Sequence, residues 1–172
     1  MLTERQARML IKAAENSLDR GVPFNRFITV SWERAGIPAE ASVKFTGKFI
    51  SAMREWLTRH GEQLDWAWVQ ESSPGNAHCH ILVHIPAGIE PLFRPMPRRW
   101  IKKPLGGAYM AKTLQSQRLR LCASSWAPFE AQEAELMAKV HYMLKTTPAA
   151  LERALDMDGR GHKSWGHLQG IW

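Results

Sequence analysis

The segment that most narrows the possible folds is residues 65–86, where Asp-Trp-Ala-Trp-Val-Gln-Glu and His-Cys-His-Ile-Leu-Val-His-Ile-Pro flank Ser-Ser-Pro-Gly-Asn-Ala. Aromatic and β-branched residues on both sides of a run of turn formers specify a β-hairpin. With residues 72–77 as its loop, Glu71 lies opposite His78 and Val69 opposite His80, because paired numbers across an antiparallel ladder keep a constant sum. Side chains recur on one face every second residue, so Glu71, His78 and His80 share a face.

Other segments supply helices and strands to build on that hairpin. Thr3 to Arg20 carries Ala7, Met9, Leu10, Ala13, Ala14 and Leu18 at helical spacing, with Gly21 where a C-terminal cap falls. Phe27 to Trp32 reads as a buried strand. A second helix is expected over residues 38–60, with Val43, Phe45, Phe49, Ile50, Met53, Trp56 and Leu57 on its apolar side and Gly61 ending it. Residues 118–123 alternate and suggest a further strand. Pro128 to Lys145 forms a third helix, with Glu130, Glu133 and Glu135 near its start, Lys139 and Lys145 toward its end, and Pro148 beyond. The pattern predicts an α+β fold, an antiparallel β-sheet flanked by helices.

Composition bounds the function classes. The chain has 172 residues with 23 Lys and Arg against 16 Asp and Glu, a formal charge of +7. At 45% apolar residues it can bury a core. No apolar run approaches the ~20 residues of a membrane span, and the first residues lack a signal peptide's apolar stretch, so an unexported, cytoplasmic protein with no membrane partner is expected. Cys79 and Cys122 are far apart and suggest neither a disulfide framework nor a thiolate zinc site. The positive surplus favours an acidic partner, nucleic acid above all. From Arg94 to Arg120 there are eight basic residues and no acidic one. With Pro95, Pro97, Pro104, Gly106 and Gly107, its first half is expected to be an irregular loop.

Three groups of residues carry candidate chemistry. His78 and His80, two apart on a strand, can both reach one divalent cation, and Glu71 can add a carboxylate oxygen. That donor set suits Mn²⁺, Mg²⁺ or Zn²⁺ and leaves positions open for water or a phosphate oxygen. On the third helix, Leu136, Met137, Val140, Met143 and Leu144 gather on one side, while Tyr142 falls opposite, beside Glu135, Lys139 and Lys145. Lys145 can hold its ammonium near the phenol. Arg94, Arg98, Arg99, Trp100, Lys102, Lys103 and Lys112 together suit a phosphate backbone with unpaired bases. Taken singly, each group has an ordinary alternative: a solvent-facing strand, an exposed tyrosine, a solvated charge run. His84 reads as a structural or supporting group, and His141 points away around the helix.

Phe27-Ile28-Thr29-Val30-Ser31, then His78-Cys79-His80-Ile81-Leu82-Val83, then Tyr142-x-x-Lys145 resembles the three ordered motifs of HUH endonucleases of the replication-initiator (Rep) branch, over about residues 26–146. Cys79 is a small apolar residue where that pattern wants a hydrophobic one. The resemblance implies an RRM-like or ferredoxin-like palm, a divalent ion (Mn²⁺ or Mg²⁺) on His78, His80 and Glu71, and Tyr142 as nucleophile with Lys145 beside it. It implies a site-specific single-stranded DNA nicking and joining endonuclease that forms a 5′-phosphotyrosine link and initiates rolling-circle replication of a plasmid or phage. Its partner would be single-stranded DNA, with an origin hairpin as the site. The tyrosine follows the histidines, unlike most relaxases, and Lys145 favours Rep over single-tyrosine transposases. Only Tyr109 is available as a second tyrosine. No G-x-x-x-x-G-K-[ST] loop occurs, so 1–172 is expected to be one nuclease domain with a 147–172 extension and no helicase domain, unwinding coming from a separate helicase. The rival readings are a transposase-like or relaxase-like strand transferase, a non-catalytic RRM-like nucleic-acid-binding module, and a metal-dependent hydrolase that uses water.

Overall fold

The structure, a computed structural model, describes residues 3–73, 76–107 and 109–145. Its elements in order are α1 (Glu4–Asp19), β1 (Arg26–Ser31), α2 (Ala39–Arg59), β2 (Trp66–Ser73), β3 (Asn76–Val83), α3 (Glu90–Phe93), α4 (Met96–Lys102) with a 3₁₀ turn after it (Lys103–Leu105), β4 (Leu114–Arg118) and α5 (Phe129–Leu144). The strands form one antiparallel sheet in the order β2-β3-β1-β4. From β1 to β4 this is the split β-α-β-β-α-β arrangement of an RRM-like or ferredoxin-like palm, so the expected α+β class is borne out.

The sheet separates two apolar layers. Phe27, Ala67, Val69 and Leu82 pack with Ala7, Leu10, Ala14 and Leu18 of α1 and Leu136, Met137, Val140, Met143 and Leu144 of α5. On the other face, Ile28, Val30, Cys79, Ile81 and Val83 pack against Phe49, Ile50, Met53, Trp56 and Leu57 of α2, with Phe93 and Ile101 from α3 and α4. Period-2 alternation makes this possible, since each strand feeds both layers.

Helix ends follow local chemistry. At the start of α1 the Gln6 amide donates to Thr3 Oγ1 (3.3 Å) and the Thr3 amide donates to Gln6 Oε1 (2.9 Å), a reciprocal cap. Gly21, at φ +69°, ends it in the left-handed region as expected.

The register is as read from the sequence, Glu71 opposite His78 and Val69 opposite His80. The strands, however, continue through the Ser72–Ala77 and Ser73–Asn76 pairs, so four of the six residues expected in the loop belong to the ladder. Extending both strands equally into the loop keeps the paired sum constant, which is why the register is the one the sequence predicts.

Three other expectations are corrected. The first half of the basic segment is not irregular, because its prolines sit at helix starts, where a missing amide proton costs nothing; Pro95 is the N-cap of α4, Pro97 stands in its first turn, and Pro104 opens the 3₁₀ turn. The strand expected over 118–123 ends at Arg118. Beyond it the amides of Arg120, Leu121 and Cys122 donate to the Glu135 carboxylate of α5 at 2.9, 2.8 and 3.0 Å, which curls the chain away from the sheet. On α2, Val43 is exposed, and the buried line runs instead through Ser42 and Thr46.

Among the described residues, no helix is long and apolar enough to cross a membrane. Pro148 and the 147–172 extension lie outside the described residues.

Candidate metal centre and tyrosine helix

The hairpin brings Glu71, His78 and His80 together under α5, with one ligand atom from each lying within 4.8 Å of the others. Glu71 Oε2 is 3.3 Å from His78 Nε2, Glu71 Oε1 is 3.5 Å from His80 Nε2, and the two Nε2 atoms are 3.1 Å apart. Ligand bonds of about 2.1–2.2 Å meeting at right angles span about 3.0–3.1 Å, so the nitrogens are spaced as neighbours on one ion. His80 is 1% exposed and His78 7%.

Burial and local charge keep His80 in a ligating state. Burial first, then the neighbouring His78 and Lys145, hold the His80 imidazole well below its ordinary range, down to about 3, so it is neutral at pH 7. Its Nδ1 lies 2.9 Å from Thr29 Oγ1, and a proton donated there turns the Nε2 lone pair toward Glu71 and His78. Phe27 stacks on the His80 ring at 5.3 Å and fixes its plane. Glu71 Oε1 is buried and accepts no hydrogen bond. A buried carboxylate oxygen that accepts no hydrogen bond, beside two imidazole nitrogens, fits a hard or borderline divalent cation. These three residues can hold a metal ion, as the sequence pattern anticipated.

Cys79, between the two histidines, points to the opposite layer, where burial pushes its thiol up to about 11. It is a small core residue and no part of the cluster.

α5 delivers the other two sequence-selected groups to the same place. The Tyr142 ring lies 5.2 Å from the His80 ring and 5.9 Å edge-on to Phe27. It is half-buried, packed against the layer beneath α1 and α5 rather than standing opposite it as the helical wheel suggests. The reason is that Phe27 and His80 rise from the sheet to meet the helix flank. Lys145 Nζ sits 4.2 Å from the Tyr142 ring centroid and 3.6 Å from Glu71 Oε1. Lys139 Nζ covers the Phe27 ring at 5.4 Å. A carboxylate, two imidazoles, a phenol and an ammonium thus converge from β2, β3 and α5.

The basic segment is not brought to this cluster. Arg94, Arg98, Arg99, Lys102 and Lys103 belong to α3, α4 and the turn after them, elements that pack on the α2 side of the sheet. Trp100 is committed to that layer, edge-on to Phe49, Trp56 and Phe93 at 5.7, 6.2 and 5.7 Å. Arg98 covers the Tyr109 ring at 4.5 Å. Lys112, exposed, precedes β4 with φ +66°. His84 lies past the end of β3, with Nδ1 2.8 Å from the Pro23 carbonyl, and serves the strand junction. His141 is exposed on α5.

Sequence reasoning missed Thr29 and Phe27 as supporting groups of His80. A threonine two residues from a phenylalanine in an otherwise apolar strand was the available signal for the pair. Comparison with protein-family models, curated proteins and solved structures finds no match to this chain.

Proposed function

We propose that this protein is a metal-dependent tyrosine endonuclease and strand transferase acting on single-stranded DNA, in the manner of the replication initiators that its motifs resemble. The observation that carries the reading is the convergence of Tyr142 and Lys145 on the Glu71, His78 and His80 cluster. A structural metal site has no need of a phenol and an ammonium at its rim.

Glu71, His78 and His80 would hold the divalent cation, Mn²⁺ or Mg²⁺, which when bound supplies Lewis-acid stabilisation of charge on the phosphoryl oxygens. Tyr142 Oη gives its proton to solvent water and attacks phosphorus, forming a phosphate–tyrosine bond, and a proton from the same water reaches the leaving oxygen. The bond to that 3′ oxygen breaks, and it leaves as a 3′-hydroxyl. The DNA retains its 5′ phosphate on Tyr142, so the break is stored at nearly the energy of the original diester and can be rejoined. Lys145, 4.2 Å from the ring, balances the phenolate charge or the phosphate. A single tyrosine at the cluster supports one transfer per site, followed by reversal or strand exchange, the economy of a rolling-circle initiator.

The test is a denaturing-gel assay with 5′-labelled and 3′-labelled single-stranded DNA pools, in Mn²⁺ or EDTA, with wild type and Tyr142→Phe. A Mn²⁺-dependent covalent adduct that keeps the 3′ label and disappears in Tyr142→Phe is expected. Cleavage that survives Tyr142→Phe means water is the nucleophile. Binding without any adduct across the pool returns the chain to the non-catalytic module.

A further inference from the structure

Behind the cluster, on the opposite face of the sheet, a polar chain crosses a layer otherwise built from Ile28, Val30, Ile81 and Phe49. Trp32 Nε1 donates to Thr46 Oγ1 at 2.7 Å, and the Thr46 hydroxyl donates to Gln70 Oε1 at 2.9 Å. Gln70 Nε2 donates to the His78 carbonyl at 3.0 Å and lies 3.3 Å from both the Glu71 carbonyl and Ser42 Oγ. The Ser42 hydroxyl donates to the Ala39 carbonyl at 2.6 Å. Ser42 and Thr46 are fully buried and Trp32 is 1% exposed, while Gln70 itself is half-buried.

Two facts set this chain apart from ordinary core packing. A strand position covered by a helix is normally apolar, and placing an amide and two hydroxyls there is worthwhile only where every member is satisfied. Both backbone carbonyls that Gln70 reaches belong to residues whose side chains, on the other face, carry the candidate ligands, and those residues are direct cross-strand partners.

We propose that Gln70 is a positioning residue for the cation site: its amide, anchored to α2 through Thr46 and Ser42, clamps the paired backbones of Glu71 and His78 and so fixes the spacing of their ligand atoms. This rests on the metal reading of the cluster and deepens it. An outer partner acts on a ligand through orientation, and losing one typically costs about 10- to 100-fold in metal affinity. Here the orientation is imposed through the main chain, so both strands of the hairpin move together when the clamp is lost.

The experiment titrates wild type, Gln70→Met, Thr46→Val and Thr46→Ser with Mn²⁺ by electron paramagnetic resonance and with Co²⁺ by visible absorption, after circular dichroism has confirmed folding. Methionine keeps the volume of glutamine without its donors, valine keeps the shape of threonine without its hydroxyl, and serine restores that hydroxyl. Gln70→Met is expected to lose about 10- to 100-fold in Mn²⁺ affinity and to shift the Co²⁺ spectrum, Thr46→Val to follow in the same direction, and Thr46→Ser to stay near wild type. If Gln70→Met fails to fold, the Thr46 pair, in which Gln70 remains, decides alone. Affinity within twofold of wild type and an unchanged Co²⁺ spectrum in the folded variants, whatever their melting temperatures, would overturn the proposal and leave Gln70 a purely structural group. Wild type that takes up neither ion overturns the metal reading itself, a separable result.

Discussion

Glu90 and Arg26 form a buried ion pair whose two halves should not be equally dispensable. The Arg26 and Glu90 side chains are 7% and 9% exposed, and the Arg26 guanidinium donates directly to Glu90. Arg94 Nε adds bonds to both Glu90 oxygens at 3.1 Å, while among the described residues the Arg26 guanidinium has, besides Glu90, a hydrogen bond to Ser116 Oγ at 3.1 Å and the Phe93 ring at 5.7 Å, and its Nε donates no hydrogen bond. Glu90→Gln therefore strands a buried cation next to the like charges of Arg94 and Arg118. Arg26→Met leaves a carboxylate that still has Arg94. Removing one member of a buried pair costs about 3–5 kcal/mol, and Glu90→Gln is expected in that range. Arg26→Met, with its residual partner, is expected at about 1–3 kcal/mol. The double variant should be more stable than Glu90→Gln alone, because no uncompensated cation remains.

The assay is urea unfolding at pH 7 followed by far-ultraviolet circular dichroism, with m-values compared to confirm a common transition. The pH dependence follows from the same contacts. Burial works to raise the Glu90 carboxyl, but the Arg94 hydrogen bond and the charges of Arg26 and Arg94 outweigh it and hold the group below its ordinary 4.5. A lowered carboxyl contributes stability above its unfolded value and loses it as pH falls through the folded one. The gap between wild type and Glu90→Gln should thus narrow below about pH 4.5. Arg26→Met costing as much as Glu90→Gln, or a gap that widens in acid, would refute the reasoning.

Two further predictions concern the cluster and its surroundings. Lys145 Nζ, 3.6 Å from Glu71 Oε1, competes with an incoming cation. At an effective dielectric of ~20 that contact is worth at most ~4–5 kcal/mol, and with the side chain 41% exposed about 1 kcal/mol survives screening. Lys145→Met should therefore bind Mn²⁺ about fivefold more tightly in calorimetry while slowing adduct formation, and weaker binding would count against the role of its charge. Because α4 lies on the layer away from Tyr142, Arg98→Glu with Arg99→Glu should change the salt slope of single-stranded DNA binding by less than the ~0.7 that one lost phosphate contact produces, read by fluorescence anisotropy from 50 to 300 mM salt. A fall of twice that value would place the strand on α4.

Local patterns carried much of the fold because each depends on a short repeat. The hairpin register follows from two strand runs and the parity of β structure, so the sequence alone groups Glu71, His78 and His80 on one face. The buried line of α5 and the cap at Gly21 were legible for the same reason. Reading 94–105 as a loop failed because proline was treated as a breaker when its place at N1 or N2 makes it a helix starter. The strand expected over 118–123 failed because alternation alone cannot see a carboxylate 13–15 residues downstream claiming the same amides.

What the sequence by itself determined, then, is the residues that can share a face: period-2 and period-3.6 repeats are local, and they selected the candidate ligand trio and the Tyr142–Lys145 pair separately. Only the tertiary structure decided that α5 crosses the sheet over His80, that Thr29 and Phe27 orient that ring, that Gln70 reaches through the hairpin backbone from the far side, and that the basic helices lie on the other layer. Those outcomes depend on which face of the sheet each helix covers, and that choice is made by the summed burial of two competing apolar layers, a quantity no short window of sequence contains.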